Sequence, residues 1–120
     1  EKAPTNQGYT DFLIRTAASG EFAEAVSALL PCMWVYCDLG NHLYQQGLPE
    51  NPHYAQWITN YAAPEFMELT EWTKDLLDEY AANAPDAMQK RIDDAFVICT
   101  RYELAFWEMA WTKQTWPGER

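Results

Sequence analysis

Positive charge is scarce in this chain: Lys and Arg total 8 against 18 Asp and Glu, for a formal net charge of −10. No cluster of Lys or Arg stands anywhere along it. Phosphate recognition depends on concentrated positive charge, so neither nucleic acid nor an anionic membrane surface is an expected partner. Cysteine is scarce as well, and odd in number. Cys32, Cys37 and Cys99 offer no paired framework, which argues for a reducing, cytoplasmic compartment and against a disulfide scaffold. No apolar run approaches the roughly 20 residues of a bilayer span, and the opening "EKAPTNQGYT" lacks the charged and apolar parts of a signal peptide. The chain starts on Glu1 rather than Met, which leaves a processed, trimmed or partial chain open.

Several chemical motifs are missing too. No phosphate-cradling Gly-rich loop and no GxSxG elbow occur, so nucleotide-dependent and serine-hydrolase readings lack support. His42 and His53 stand apart, with no ExxH or HxxxH spacing, which disfavours a metal. No cofactor is expected.

What remains is a chain of 120 residues, 48% of them hydrophobic, enough for a single domain over 1–120 with one core. Val and Ile are sparse and apolar residues recur at three and four, so the expected fold class is all-α, with no convincing strand. Five helices are read from the pattern. The first follows a cap at Thr5 or Asn6 and stops at Gly20, where positive φ is accepted. The second covers about 21 to 46 and ends near Gly47. The third covers about 52 to 62 and is cut off by Pro64. The fourth, about 64 to 82, places Phe66, Leu69, Thr73, Leu76 and Tyr80 on its apolar stripe. The fifth starts at Pro85, a favoured first-turn residue, and reaches toward Gln114 before "WPG". Long helices on short loops imply an antiparallel bundle. The second and fifth are too apolar around their circumference for surface elements. Another chain or a missing segment is therefore expected to complete the core.

Residues 27–40, "SALLPCMWVYCDLG", pose the first anomaly: a proline sits inside an apolar helix with a cysteine directly after it. Proline there removes a hydrogen bond to the Ser27 carbonyl and costs roughly 3 kcal/mol. A bend at Pro31 would open space beside Cys32. Turning about 100° per residue puts Ala25, Ala28, Leu29, Val35, Tyr36 and Leu39 around Cys32, so the cysteine is expected to face inward with Tyr36 one turn along. The plain alternative is an inert buried thiol beside a packing kink, since nothing nearby in sequence is cationic enough to favour thiolate. The second anomaly is Glu103, centred on an arc of Phe96, Cys99, Phe106, Trp107 and Ala110. A carboxylate on that face must be paired, protonated or turned to a polar cavity. Pairing with a Tyr or Arg competes with a functional role.

The segments "YTDFL", "EAVSALLPCMWVY", "YAQWITNYAAPEF" and "RYELAFWEMAW" resemble, in order and spacing, the C-terminal half of the TenA/thiaminase II family. The resemblance covers nearly the whole chain. It implies an all-helical bundle of the heme oxygenase-like fold without haem, and a homo-oligomer or association with the missing N-terminal helices. It also implies hydrolysis of 4-amino-5-aminomethyl-2-methylpyrimidine to ammonia and the hydroxymethyl product, with slower cleavage of thiamin. By the same resemblance, Cys32 matches the family's nucleophile and Glu103 the acid that exchanges a proton with a ring nitrogen. Tyr9, Tyr36 and Tyr61 match tyrosines that contact the pyrimidine or the catalytic sulfur. An aspartate and an aromatic residue from the family's other half have no counterpart here. A catalytically silent binding or regulatory module of the same fold is the alternative.

Overall fold

The computed structural model describes residues 2–118 and contains five α-helices, with no strand among the described residues. They are α1 (Pro4–Ser19), α2 (Phe22–Gln46), α3 (Pro52–Tyr61), α4 (Pro64–Ala82) and α5 (Asp86–Thr112). All five expected helices are present, and their punctuation follows from local chemistry. Pro4, Pro52 and Pro64 each open a helix, where a missing N–H costs nothing. Asn51 caps α3 by accepting from the His53 N–H at 3.0 Å. Glu21 and Glu24 form a reciprocal capping box at the start of α2.

Several terminal details differ from the sequence expectation. Neither Thr5 nor Asn6 caps α1; the cap position is Ala3, without a side-chain bond. The amide of Thr5 instead donates to Gln114 Oε1 at 3.0 Å, and the indole of Trp116 donates to the Lys2 carbonyl at 2.7 Å. The far end of the chain thus supplies the acceptor that local sequence did not. Gly20 stops α1 at φ −91°, so positive φ is not its reason. A Cβ there would stand 2.5 Å from the Thr16 carbonyl oxygen, and that is what requires glycine. Pro85 takes the cap position of α5 rather than its first turn.

α2 is the hub, and it contacts each of the other four helices. By length and composition it is apolar enough to cross a membrane, contrary to the sequence expectation. In this fold part of that apolar surface goes to helix packing. On one side Ala28 meets Tyr9, Ala95 and Cys99; on another Ala23 and Leu30 meet Leu77 and Ile92. Ser27 is fully buried and donates to the Ile92 carbonyl at 2.6 Å, tying α2 to α5. Pro31 is also fully buried, inside a helix that runs unbroken through it.

The buried line of α4 is Thr70, Thr73 and Leu77. Leu69 and Tyr80, expected on the stripe, are exposed. The threonines can be buried because each hydroxyl donates to its own helix, Thr70 to the Phe66 carbonyl and Thr73 to that of Leu69. Apolarity alone put the stripe a few tens of degrees away.

The assembly is a slab with extents of 50 × 44 × 18 Å and a radius of gyration of 16.5 Å. A compact chain of this length has roughly 14 Å. Its accessible surface is 8392 Å². A compact monomer of 13.9 kDa exposes about 6,700 Å². The excess is apolar: Leu104 is 75% and Trp111 86% exposed, with Leu29 and Trp107 also open. One face of α2 and α5 is uncovered.

Candidate functional site

Glu103 projects from α5 one turn beyond Cys99 and is 4% exposed. Its partner is Tyr9 of α1, whose phenol donates to Oε1 at 2.5 Å in a buried bond. The competing expectation of intramolecular pairing with a tyrosine is therefore met. Burial, then the bond to Glu103, then its charge hold the Tyr9 phenol far above the ordinary range. Tyr9 stays a neutral donor.

Cys32 lies on α2 and engages the same carboxylate. Burial, then the Glu103 charge, then the hydrogen bond of the thiol to Glu103 push its pKa up to about 11. The sulfur and the acid, 71 positions apart in numbering, meet across the α2–α5 contact. One expectation fails here. Cys32 is exposed, not turned into the core. The helical wheel placed it among apolar neighbours correctly, but those neighbours straddle the edge of the core: Ala28 is buried, Leu29 is exposed, and Cys32 lies on the open side. Cys37 and Cys99 are the buried thiols, and Cys99, fully buried beside Glu103, is pushed up to about 12. All three cysteines are free.

Tyr36 stands one turn along from Cys32. Burial, then Glu103, then Cys32 and Tyr61 raise its phenol to about 12. Its ring lies 5.1 Å from that of Tyr61, which closes α3. Trp57 and Trp107 flank Tyr36 at 6.0 Å each, and Phe66 meets Tyr61 at 5.4 Å. These rings form an aromatic wall beside the thiol. Gly40 makes the wall possible: a Cβ there would lie 2.6 Å from Tyr61 Cβ and 2.7 Å from its carbonyl carbon. Backbone meets backbone at that point.

The structure thus brings all five sequence candidates to one region: Tyr9 and Cys32 on Glu103, Tyr36 between Cys32 and Tyr61. Sequence reading placed Cys99 on the arc of Glu103 but did not single out Trp57 or Tyr102 as neighbours of the site. Trp57 precedes Tyr61 by one helical turn, and Cys99 precedes Glu103 by one, so helical spacing carried both signals. Tyr102 had no such signal, because a residue adjacent in a helix points about 100° away.

The site opens to one side through exposed Cys32, Leu104 and Trp107. A cleft of about 510 Å³ lined by Leu30, Trp34, Leu77 and Phe96 lies on the other side of α2, and one of about 640 Å³ lies by Phe22 and Tyr80. Among the described residues, no group of three His, Cys, Asp or Glu is placed to hold a metal ion. Chemically, the arrangement offers a thiol near a buried carboxylate, a tyrosine donor fixing that carboxylate, and aromatic faces suited to a flat ring.

The sequence matches the TENA/THI-4/PQQC family over residues 1–113. It is 34% identical over 119 residues to an aminopyrimidine aminohydrolase of Halalkalibacterium halodurans, covering 97% of this chain and 52% of that protein. It is 37% identical over 114 residues to an aminopyrimidine aminohydrolase of Bacillus subtilis, covering 95% of this chain and 48% of that one. A third, from Helicobacter pylori, is 28% identical over 107 residues, with 88% and 49% covered. The chain spans about half the length of these curated relatives.

Proposed function

The chain belongs to the TENA/THI-4/PQQC family, and from that premise we propose that it carries the sulfur-and-acid part of an aminopyrimidine hydrolase active site. The observation behind this reading is the buried carboxylate of Glu103, held by the Tyr9 phenol at 2.5 Å and close enough to the Cys32 thiol to raise its pKa, beside an aromatic wall. The relatives' name supplies the substrate class, a 4-aminopyrimidine.

The roles follow from the chemistry. A thiol at about 11 is protonated at neutral pH, so sulfur must lose its proton as it attacks. Glu103 is the base in contact with it. As the sulfur adds to the ring, a ring nitrogen gains electron density and takes a proton from Glu103. The amine on the 5-methylene departs with its bonding pair and a proton as ammonia, water adds at that carbon, and the sulfur is expelled, giving the hydroxymethyl product. Thiamin offers a thiazole at the same carbon and is the slower substrate. Tyr36 and Tyr61 hold the ring against the wall, while Tyr9 holds Glu103.

A site open on one face does not exclude water from such an intermediate. The reading therefore includes a cover: helices outside these 120 residues, or a second copy of the chain, close the face of Leu29, Leu104, Trp107 and Trp111. The excess of accessible surface on this one chain, about 1,700 Å², is about twice the ~800 Å² that each partner buries in a standard interface, as a large obligate contact requires. Three free cysteines support a cytoplasmic setting. The same openness favours a second reading, a family module that binds a pyrimidine without turning it over.

Ammonia release from 4-amino-5-aminomethyl-2-methylpyrimidine tests the proposal, on the chain alone and on a chain of relatives' length. Turnover that disappears in Cys32→Ala and persists in Cys37→Ala supports the hydrolase. Turnover that survives Cys32→Ala removes the nucleophile, and binding without ammonia in either form decides for the silent module.

A further inference from the structure

Tyr102 immediately precedes Glu103, yet its ring turns to α1. There it stacks on Tyr9, with ring centroids 5.0 Å apart and planes 3° from parallel. Phe12 supports it from one side at 6.1 Å. Gly8 leaves room for the tip of the ring: a Cβ at position 8 would lie 3.3 Å from the Tyr102 hydroxyl, which would have to shift by a few tenths of an ångström, and 3.6 Å from Cε1, an ordinary contact. The contact matters for the site because the Tyr9 phenol sits at the end of a long lever with two free torsions. A small rotation at its root would carry the hydroxyl off Oε1, and a parallel ring against its face blocks that rotation.

We propose that Tyr102, seated against Gly8, is a positioning residue that locks the Tyr9 hydroxyl onto Glu103 and thereby sets how strongly Glu103 accepts from the Cys32 thiol. The proposal rests on the reading of Cys32 and Glu103 as a working pair. With Tyr9 donating, part of the carboxylate's acceptor strength is spent on α1. With Tyr9 released, Glu103 accepts more strongly from the thiol, and the thiol gives up its proton at higher pH. The titratable groups around Glu103 are Tyr9 from α1, Cys32 and Tyr36 from α2 and Cys99 from α5, with Tyr61 of α3 behind Tyr36.

The test is the pH profile of Cys32 alkylation by iodoacetamide on the 120-residue chain, with the alkylated peptide identified by mass. Cys37 and Cys99 are buried, so Cys32 dominates the signal. Tyr9→Phe calibrates the effect: its midpoint should rise, with the rate at a fixed pH below it roughly threefold slower, about half a pH unit. Tyr102→Leu should reproduce that shift, and Tyr102→Phe, which keeps the stack, should match the parent. Gly8→Ala should move the profile the same way by crowding the hydroxyl of Tyr102. Adding Tyr102→Phe to it should return the profile to the parent, because the crowding atom is gone. Alanine favours a helix interior over glycine, so a merely structural role predicts an unchanged or higher melting temperature for Gly8→Ala and no shift in the thiol.

If Tyr9→Phe moves the midpoint while Tyr102→Leu and Gly8→Ala do not, the positioning role is overturned and the Cys32–Glu103 pairing stands. No shift in Tyr9→Phe itself overturns the coupling, and the role of Tyr102 with it. Should Tyr102→Leu fail to fold, the Gly8→Ala pair of variants decides alone.

Discussion

Tyr9 and Glu103, 94 residues apart, share a buried hydrogen bond of 2.5 Å between the first and last helices. That single contact joins the fold to the candidate chemistry. It satisfies a carboxylate that the apolar face of α5 would otherwise strand, and it fixes the orientation in which the same carboxylate meets Cys32.

Removing the donor exposes its structural share. Tyr9→Phe should lower unfolding free energy by about 1.5–3 kcal/mol, the range for a buried bond to a charged group. Urea denaturation at neutral pH measures it. Glu103→Gln, which keeps an acceptor oxygen for Tyr9, should cost less than Tyr9→Phe.

The carboxylate's charge also keeps the Cys32 thiol protonated. Burial is the largest cause of the raised midpoint and remains in Glu103→Gln, but the charge is removed, so the midpoint should fall part of the way from about 11. Alkylation at pH 8 should accelerate severalfold while aminopyrimidine turnover disappears. A thiol that becomes more reactive while turnover disappears assigns Glu103 to proton transfer during the reaction rather than to lowering the resting pKa of the thiol.

Stability should fall in base. Cys32 titrates at about 11 and Cys99 at about 12 in the fold, each against an ordinary 9.0, and Tyr36 at about 12 against 10.0. Between pH 9 and 12 the folded state therefore holds protons that the unfolded state has released, so stability present below about pH 9 is lost as pH rises through that window. Urea midpoints taken from pH 8 to 11.5 should decline, and Cys99→Ala should flatten the decline more than Cys32→Ser, because Cys99 is fully buried and Cys32 is exposed.

Gly40→Ala tests the aromatic wall. The added methyl meets Tyr61 at both Cβ and backbone, where no flexible side chain can yield. A destabilisation of about 1–3 kcal/mol is expected from such overpacking. Near-UV circular dichroism should weaken with it, as the Tyr36–Tyr61 pair at 5.1 Å separates.

Much of the architecture was legible because it is written locally. Pro52, Pro64, Gly47 and the three-and-four spacing of apolar residues delimit helices through backbone sterics and side-chain period, which need no knowledge of neighbours. Where a boundary depended on something distant, the reading missed. The start of α1 is satisfied by Gln114, and the inner line of α4, set by the helices that pack on it, runs through Thr70 and Leu77 beside the expected Thr73 rather than through Leu69 and Tyr80.

The sequence by itself determined five helices, one acid misplaced on an apolar arc, and a cysteine whose neighbours are apolar. Only the tertiary structure decided that Tyr9 answers the acid, that Cys32 lies on an uncovered face while Cys99 is sealed, and that Tyr102 braces the partner. The physical reason is that helical periodicity fixes the direction in which a side chain leaves its own axis, whereas burial and pairing depend on which other helix, if any, arrives on that side.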